Sequence, residues 1–132
     1  MIDIDVQKIA KMYSMQGVPL ISIIGGERNG FYQQDAIKLV RFFLTEVIPI
    51  VGVDVYLLKK GILYLTEARD NWYCERLKNE CLFLYTQRSC TSAIEFITNY
   101  IPKDAIPIFD IYPFDFSSIT ETDDGDRDHG VL

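Results

Sequence analysis

The spacing of apolar positions changes several times along the chain, and each change predicts an element. Residues 3–15 place Ile4 or Val6, then Ile9, Ala10, Met12 and Tyr13 at helical spacing. Asp3 and Asp5 stand at the start, where the helix dipole favours anions, and Gly17 and Pro19 close the segment. "VPLISIIGGERNG" then reads as an apolar extended stretch followed by a loop with three glycines. Residues 33–48 put Ala36, Ile37, Val40, Phe43, Leu44 and Val47 on one helical face and Lys38, Arg41, Thr45 and Glu46 on the other, with Pro49 as the stop. Period-two strands follow in "IPIVGVDVYLL" and "ILYLT", joined at Lys59-Lys60-Gly61, where Gly61 supplies the positive φ of a tight hairpin. Further extended segments are expected at residues 71–77 and 81–85. Ser89 or Thr91 caps a third helix that buries Ala93, Ile94, Ile97 and Ile101 and ends at Pro102, before a last strand, "IPIFDIY".

Strands gathered between helical segments, without βαβ alternation, predict an α+β fold: a mainly antiparallel central sheet of about four to five strands with about three helices packed against it. At 132 residues the length suits one domain, expected to occupy residues 1–116. Residues 117–132 read as a solvated acidic tail: Glu121, Asp123, Asp124, Asp126 and Asp128 against Arg127 give it a net charge of −4 out of −6 for the chain.

Composition then narrows the function classes. No apolar run approaches the roughly 18–20 residues that span a bilayer, so no membrane partner is expected. The N-terminus lacks the apolar core and small-residue cleavage site of a secretory signal, which makes the cytoplasm the expected location. Lys59-Lys60 is the lone basic doublet, which disfavours a phosphate-binding face and hence nucleic acid as partner. Cys74, Cys81 and Cys90 are odd in number and form no CxxC pair, and so read as reduced, mostly buried thiols.

Catalytic patterns fare no better. Gly25, Gly26 and Gly30 match neither a Walker loop nor a dinucleotide fingerprint, so "GGERNG" reads as a connecting loop. Asp124, Asp126 and Asp128 carry EF-hand spacing, but the sixth position is His129 and the sequence ends before a twelfth-position Glu. His129, the single histidine, lies in the same tail, where orienting it as a general base is implausible. Paired carboxylates drawn from Asp54, Glu67, Asp70, Glu75 and Asp110 leave a hydrolase as the weakest reading. No cofactor and no metal is called for, and the chain is expected not to be an enzyme.

Strand parity singles out two places. In "IVGVDVYLL" it sets Val51, Val53, Val55 and Leu57 on one face and Ile50, Gly52, Asp54, Tyr56 and Leu58 on the other. Asp54 is then either a carboxylate anchored by local hydrogen bonds, since burying it unpaired is costly, or a contact acid on an open sheet face. In "ARDNWYCE" Asp70, Trp72 and Cys74 share one face and Asn71, Tyr73 and Glu75 the other, so an inward Trp72 sends Tyr73 and Glu75 outward.

Together "IPIVGVDVY", "ARDNWYCE" and "RSCTSAIEFITNY" resemble the immunity proteins of bacterial polymorphic-toxin and contact-dependent growth inhibition systems. There a strand of pattern I-x-G-x-D-V-Y precedes D-N-W-Y and a helix opening S-x-x-x-A. The matching positions are Gly52, Asp54, Val55, Tyr56, Asp70, Asn71, Trp72, Tyr73, Ser89 and Ala93; Ile50-Val51-Gly52-Val53 departs from a double-glycine version of the strand. The resemblance implies a cytoplasmic, non-enzymatic inhibitor that binds a cognate bacterial toxin domain, with basic nucleases among the toxins its acidic charge suits. Tyr56, Glu67, Tyr73 and Glu75 are the expected contacts, Asp54 a further one if its face is open, and Trp72 and Asp70 the scaffold behind them. A small intracellular adaptor domain is the alternative that composition does not separate from this reading.

Overall fold

The computed structural model describes residues 5–67 and 70–118. The acidic tail from residue 119, with its EF-hand-like aspartates and His129, and the first four residues lie outside the described residues. Helix α1 (Val6–Met12) is capped by Asp5, whose carboxylate accepts from the backbone N–H of Gln7 and Lys8. Strand β1 (Val18–Pro19) pairs antiparallel with β2 (Asn29–Gly30). Between them the chain forms a short helix, α2 (Ile21–Ile24), where extended backbone was expected. With Leu20 wholly buried and Ile21 and Ile24 exposed, this apolar run has no sheet to enter and closes on its own backbone instead. Gly25 and Gly26 end it at φ +74° and +73°.

Helix α3 (Gln33–Thr45) buries Ala36, Ile37, Leu39, Val40 and Phe43. It stops short of Pro49, because Val47 already stands at φ +57° and turns the chain toward the sheet. Strand β3 (Ile50–Lys59) forms the axis of the fold. Strand β4 (Ile62–Leu65) and β5 (Trp72–Tyr73) share one of its edges, and β6 (Ile106–Pro113) runs the length of the other, all antiparallel. Lys60 and Gly61, both at positive φ, make the two-residue β3–β4 turn.

Helix α4 (Leu82–Asn99) begins seven residues before the expected cap at Ser89, and the stretch read as a strand at residues 81–85 is its first turn. Leu82, Tyr85, Thr86, Ser89, Cys90, Ala93 and Ile97 form one buried face at spacings of three and four. Cys81 caps it, its sulfur 3.4 Å from the Leu84 N–H. Ser89 acts in mid-helix: its Oγ accepts the buried Ile50 N–H at 3.0 Å and so fastens α4 to the start of β3.

Helices α1, α3 and α4 cover one face of the sheet, where Val53, Val55, Phe109 and Ile111 are buried. A fully buried side chain of this kind contributes roughly 1.5–3 kcal/mol. A bulge between Ile50 and Gly52 corrects the expected alternation: Ile50 joins Val53 and Val55 under the helices, while Val51 packs beside Cys74, Leu82 and Tyr85. The architecture is α+β, with a mostly antiparallel four-stranded sheet, a two-stranded one and four helices among the described residues. All three cysteines are buried and unbridged.

Candidate functional site

The second face of the sheet is divided. Its upper half is covered by residues 18–30, which bury Leu20 against Tyr56 and Ile108 with Val18, Ile23, Leu58 and Leu63 around them. Its lower half carries a polar and aromatic set from three strands. Gly52 lies between Tyr73 on β5 and Tyr112 on β6, and one step up Asp54 lies opposite Asp110.

Glycine at position 52 decides how this set assembles. A Cβ there would stand 2.7 Å from Cδ1 of Tyr73, so the bare backbone is what admits the ring. The ring lies along β3 and its hydroxyl donates to Asp54 Oδ1 at 2.6 Å, while Tyr73 remains 63% exposed. That hydrogen bond, first, and then burial push the Tyr73 phenol up to about 12.

Asp110 is 1% exposed, and its burial is compensated on two sides. Arg28 donates from Nε to Asp110 Oδ1 at 2.6 Å and from Nη2 to the Ile111 carbonyl at 3.0 Å, with its guanidinium carbon 4.4 Å above the Tyr112 ring. The Tyr112 hydroxyl donates to Asp110 Oδ2 at 2.8 Å. Desolvation nevertheless holds the Asp110 carboxyl above its ordinary range, with Tyr112 and Arg28 opposing the shift. Burial raises the Tyr56 phenol as well, with the charges of Asp110 and Asp54 adding to it.

The sequence-expected residues divide between the two faces. Asp54 and Tyr73 come together on the open half of this face, whereas Tyr56, expected as a contact, is only 5% exposed because residues 18–30 pack over it. Trp72 turns to the helix side and stacks on Phe96 with ring centroids 6.4 Å apart. Asp70 sits near the same end, close to Tyr100, whose phenol is raised by burial and then by this carboxylate. Glu67 is exposed in the β4–β5 connection, and its carbonyl accepts the Asp70 N–H. Glu75 is exposed just past β5, its carbonyl held by Arg88 at 2.7 Å. Arg88 also clasps both oxygens of Glu80, at 2.7 and 2.8 Å, which lowers the Glu80 carboxyl below its ordinary value.

Asn71 completes the site from the edge. Strands β4 and β5 leave a gap beside β3, and there the Asn71 side chain accepts the Val55 N–H at 2.8 Å while Thr66 donates to the Val55 carbonyl at 3.0 Å. The three residues Asn71-Trp72-Tyr73 thus engage in turn β3, α4 and Asp54.

Arg28 and Tyr112 were not among the expected site residues, and Asp110 was named only among the acids of the hydrolase reading. A signal for two of them was present: "FDIY" repeats the Asp-x-Tyr spacing of "VDVY", and both lie in apolar strands. Arg28 carried none, since 82 residues separate it from its partner.

Chemically the face can hold charge and hydrogen bonds, and no group of three or more His, Cys, Asp or Glu among the described residues could hold a metal ion. No helix among them is long and apolar enough to cross a membrane. The family model for Immunity protein 40 matches residues 7–113, which runs from the second residue of α1 to the end of β6. Comparison with the curated proteins finds no match, and comparison with the solved structures finds none.

Proposed function

The chain belongs to the Immunity protein 40 family, and from that membership we propose that it binds a cognate toxin domain in the cytoplasm and neutralises it by covering the toxin's active or substrate-binding surface. The family points to inhibition of a toxin and not to catalysis; in this reading the protein acts by stoichiometric binding, without turnover. The observation that carries the interface is Tyr73. A tyrosine 63% exposed, yet fixed by a 2.6 Å hydrogen bond to Asp54 and seated on a glycine, offers a large aromatic surface already held in one orientation. Pre-ordered aromatic anchors ringed by polar groups are what interfaces concentrate their affinity on. Asp54 extends the same patch, the buried Tyr56 supports it from the side, and the exposed Glu67 and Glu75 lie in the segments entering and leaving β5. Asp70 and Trp72 support it from behind. Acidic groups around the patch suit a basic toxin, a nuclease being the type in mind.

An immunity gene should lie directly downstream of a gene for a large secreted protein with a variable C-terminal domain. Co-expressing that domain with the wild-type chain should restore growth, and Tyr73→Ala should weaken protection while leaving the thermal midpoint nearly unchanged. Equal killing with and without this chain, and no complex on mixing, would refute the proposal.

A further inference from the structure

The half-open face contains the same arrangement twice. On β6, Asp110 and Tyr112 hold an arginine: Arg28 meets the carboxylate at 2.6 Å with its guanidinium carbon 4.4 Å over the tyrosine ring, while the tyrosine hydroxyl steadies the carboxylate's other oxygen at 2.8 Å. On β3, directly opposite in register, Asp54 is steadied in the same way by a tyrosine hydroxyl, that of Tyr73, at 2.6 Å. Its Oδ2 accepts no hydrogen bond from the described residues, and no described lysine or arginine pairs with it. The Tyr73 ring beside it stays exposed. Arg28, the cation of this face, is already committed to Asp110 and the Ile111 carbonyl.

We infer that Asp54 and Tyr73 form a second arginine seat, filled by an arginine side chain that the bound toxin domain presents. The inference rests on the immunity reading above and deepens it. Arg28 shows on the same sheet face which side chain such a seat takes. A planar guanidinium satisfies the carboxylate and stacks on the phenol ring at once, whereas an ammonium makes a point contact and does not stack. Among the described residues the face holds two carboxylates and one guanidinium, one positive charge short of balance, and an incoming arginine supplies it.

Two measurements test this. In the first, the wild-type chain is titrated with methylguanidinium, and in parallel with methylammonium, while backbone amide resonances are followed. Methylguanidinium should move those of Gly52, Asp54 and Tyr73, methylammonium should move them less, and Asp54→Asn should abolish the response. Tyr73→Phe, which keeps the ring and removes the hydroxyl, should reduce it, and circular dichroism melts verify that both variants fold. Absence of shifts, or equal shifts in Asp54→Asn, overturns the seat.

In the second, each arginine and lysine of the toxin domain is replaced by alanine, and binding is measured against wild-type and Asp54→Asn protein. Asp54→Asn should weaken binding by about tenfold or more, as loss of a close interfacial charge pair does. One toxin arginine should show the same loss and no further loss in combination. Coupling to a lysine, or unchanged binding by Asp54→Asn, overturns the inference while leaving the immunity reading intact. Failure of the wild-type chain to bind or neutralise the toxin domain instead removes that reading, and with it the toxin as the source of the arginine.

Discussion

Gly52 marks the point at which one methyl group decides the state of the site. A Cβ there would meet Tyr73 at 2.7 and 3.0 Å, and because that ring is mostly exposed it can swing outward without moving the strand. Gly52→Ala should therefore change stability by no more than about 1 kcal/mol, below the cost of overpacking a closed core. The Tyr73 hydroxyl, however, should lose Asp54. The readout is the phenol itself: its folded pKa of about 12 should fall back toward the ordinary value near 10. A folded-state pKa above the unfolded one means the hydrogen bond's stabilisation is complete below about pH 10 and disappears as pH rises through about 12. Alkaline absorbance titrations of wild type and Gly52→Ala, each referred to Tyr73→Phe, measure the shift. An unchanged Tyr73 titration in Gly52→Ala would show that the glycine does not govern the pair. Asp54 and Tyr73 were legible from strand alternation, which holds from Gly52 onward past the bulge, whereas the covering of Tyr56 by residues 18–30 was not. Arg28 was not: its role exists only once the chain between α2 and β2 folds back over β6, and nothing near residue 28 encodes that return.

At the scale of elements, side chains do the joining that backbone ladders leave undone. Strand β5 is two residues long, shorter than the expected segment at residues 71–77, since Asn71 replaces its missing backbone partner and Cys74 already turns to the buried cluster around Tyr85. Ser89 performs the parallel task for α4 by accepting the Ile50 N–H where the β3 bulge breaks the ladder. Ser89→Ala leaves that buried donor without its acceptor and should cost about 1–3 kcal/mol, read as a lower denaturant midpoint with an unchanged slope. A loss below about 0.5 kcal/mol would show that the helix-to-strand bond is dispensable. The same residues explain which elements could be foreseen. Helix α3 has a long, clear helical period, and strands β3 and β6 are long apolar runs between turn residues. The first turn of α4 has no such signal, because "CLFLY" is a run of apolar and aromatic residues that fits a strand as well as a helix, and its helical period emerges only when Ser89, Cys90, Ala93 and Ile97 are counted with it.

For the whole molecule, charge acts at two ranges that can be separated experimentally. The net −6 is unevenly shared, with −4 in residues 117–132, so most of the long-range field of this acidic chain belongs to its C-terminal segment. Such a field speeds encounter with a basic partner and fades within a Debye length, about 10 Å at 0.1 M salt. Asp54 instead acts in contact, where charges shielded from water govern how fast a complex separates. Deleting residues 119–132 should therefore leave a cooperative melt in place and slow association with a basic toxin domain at low salt, with little change in dissociation. Asp54→Asn should do the reverse, speeding dissociation and hardly altering the association rate. Association and dissociation rates measured at low ionic strength and at about 0.5 M salt, where screening is shorter than the spacing of surface charges, resolve the two effects. If the deletion speeds dissociation, the segment touches the toxin directly. If it destroys the cooperative melt, these residues belong to the folded domain and the boundary expected at residue 116 is wrong.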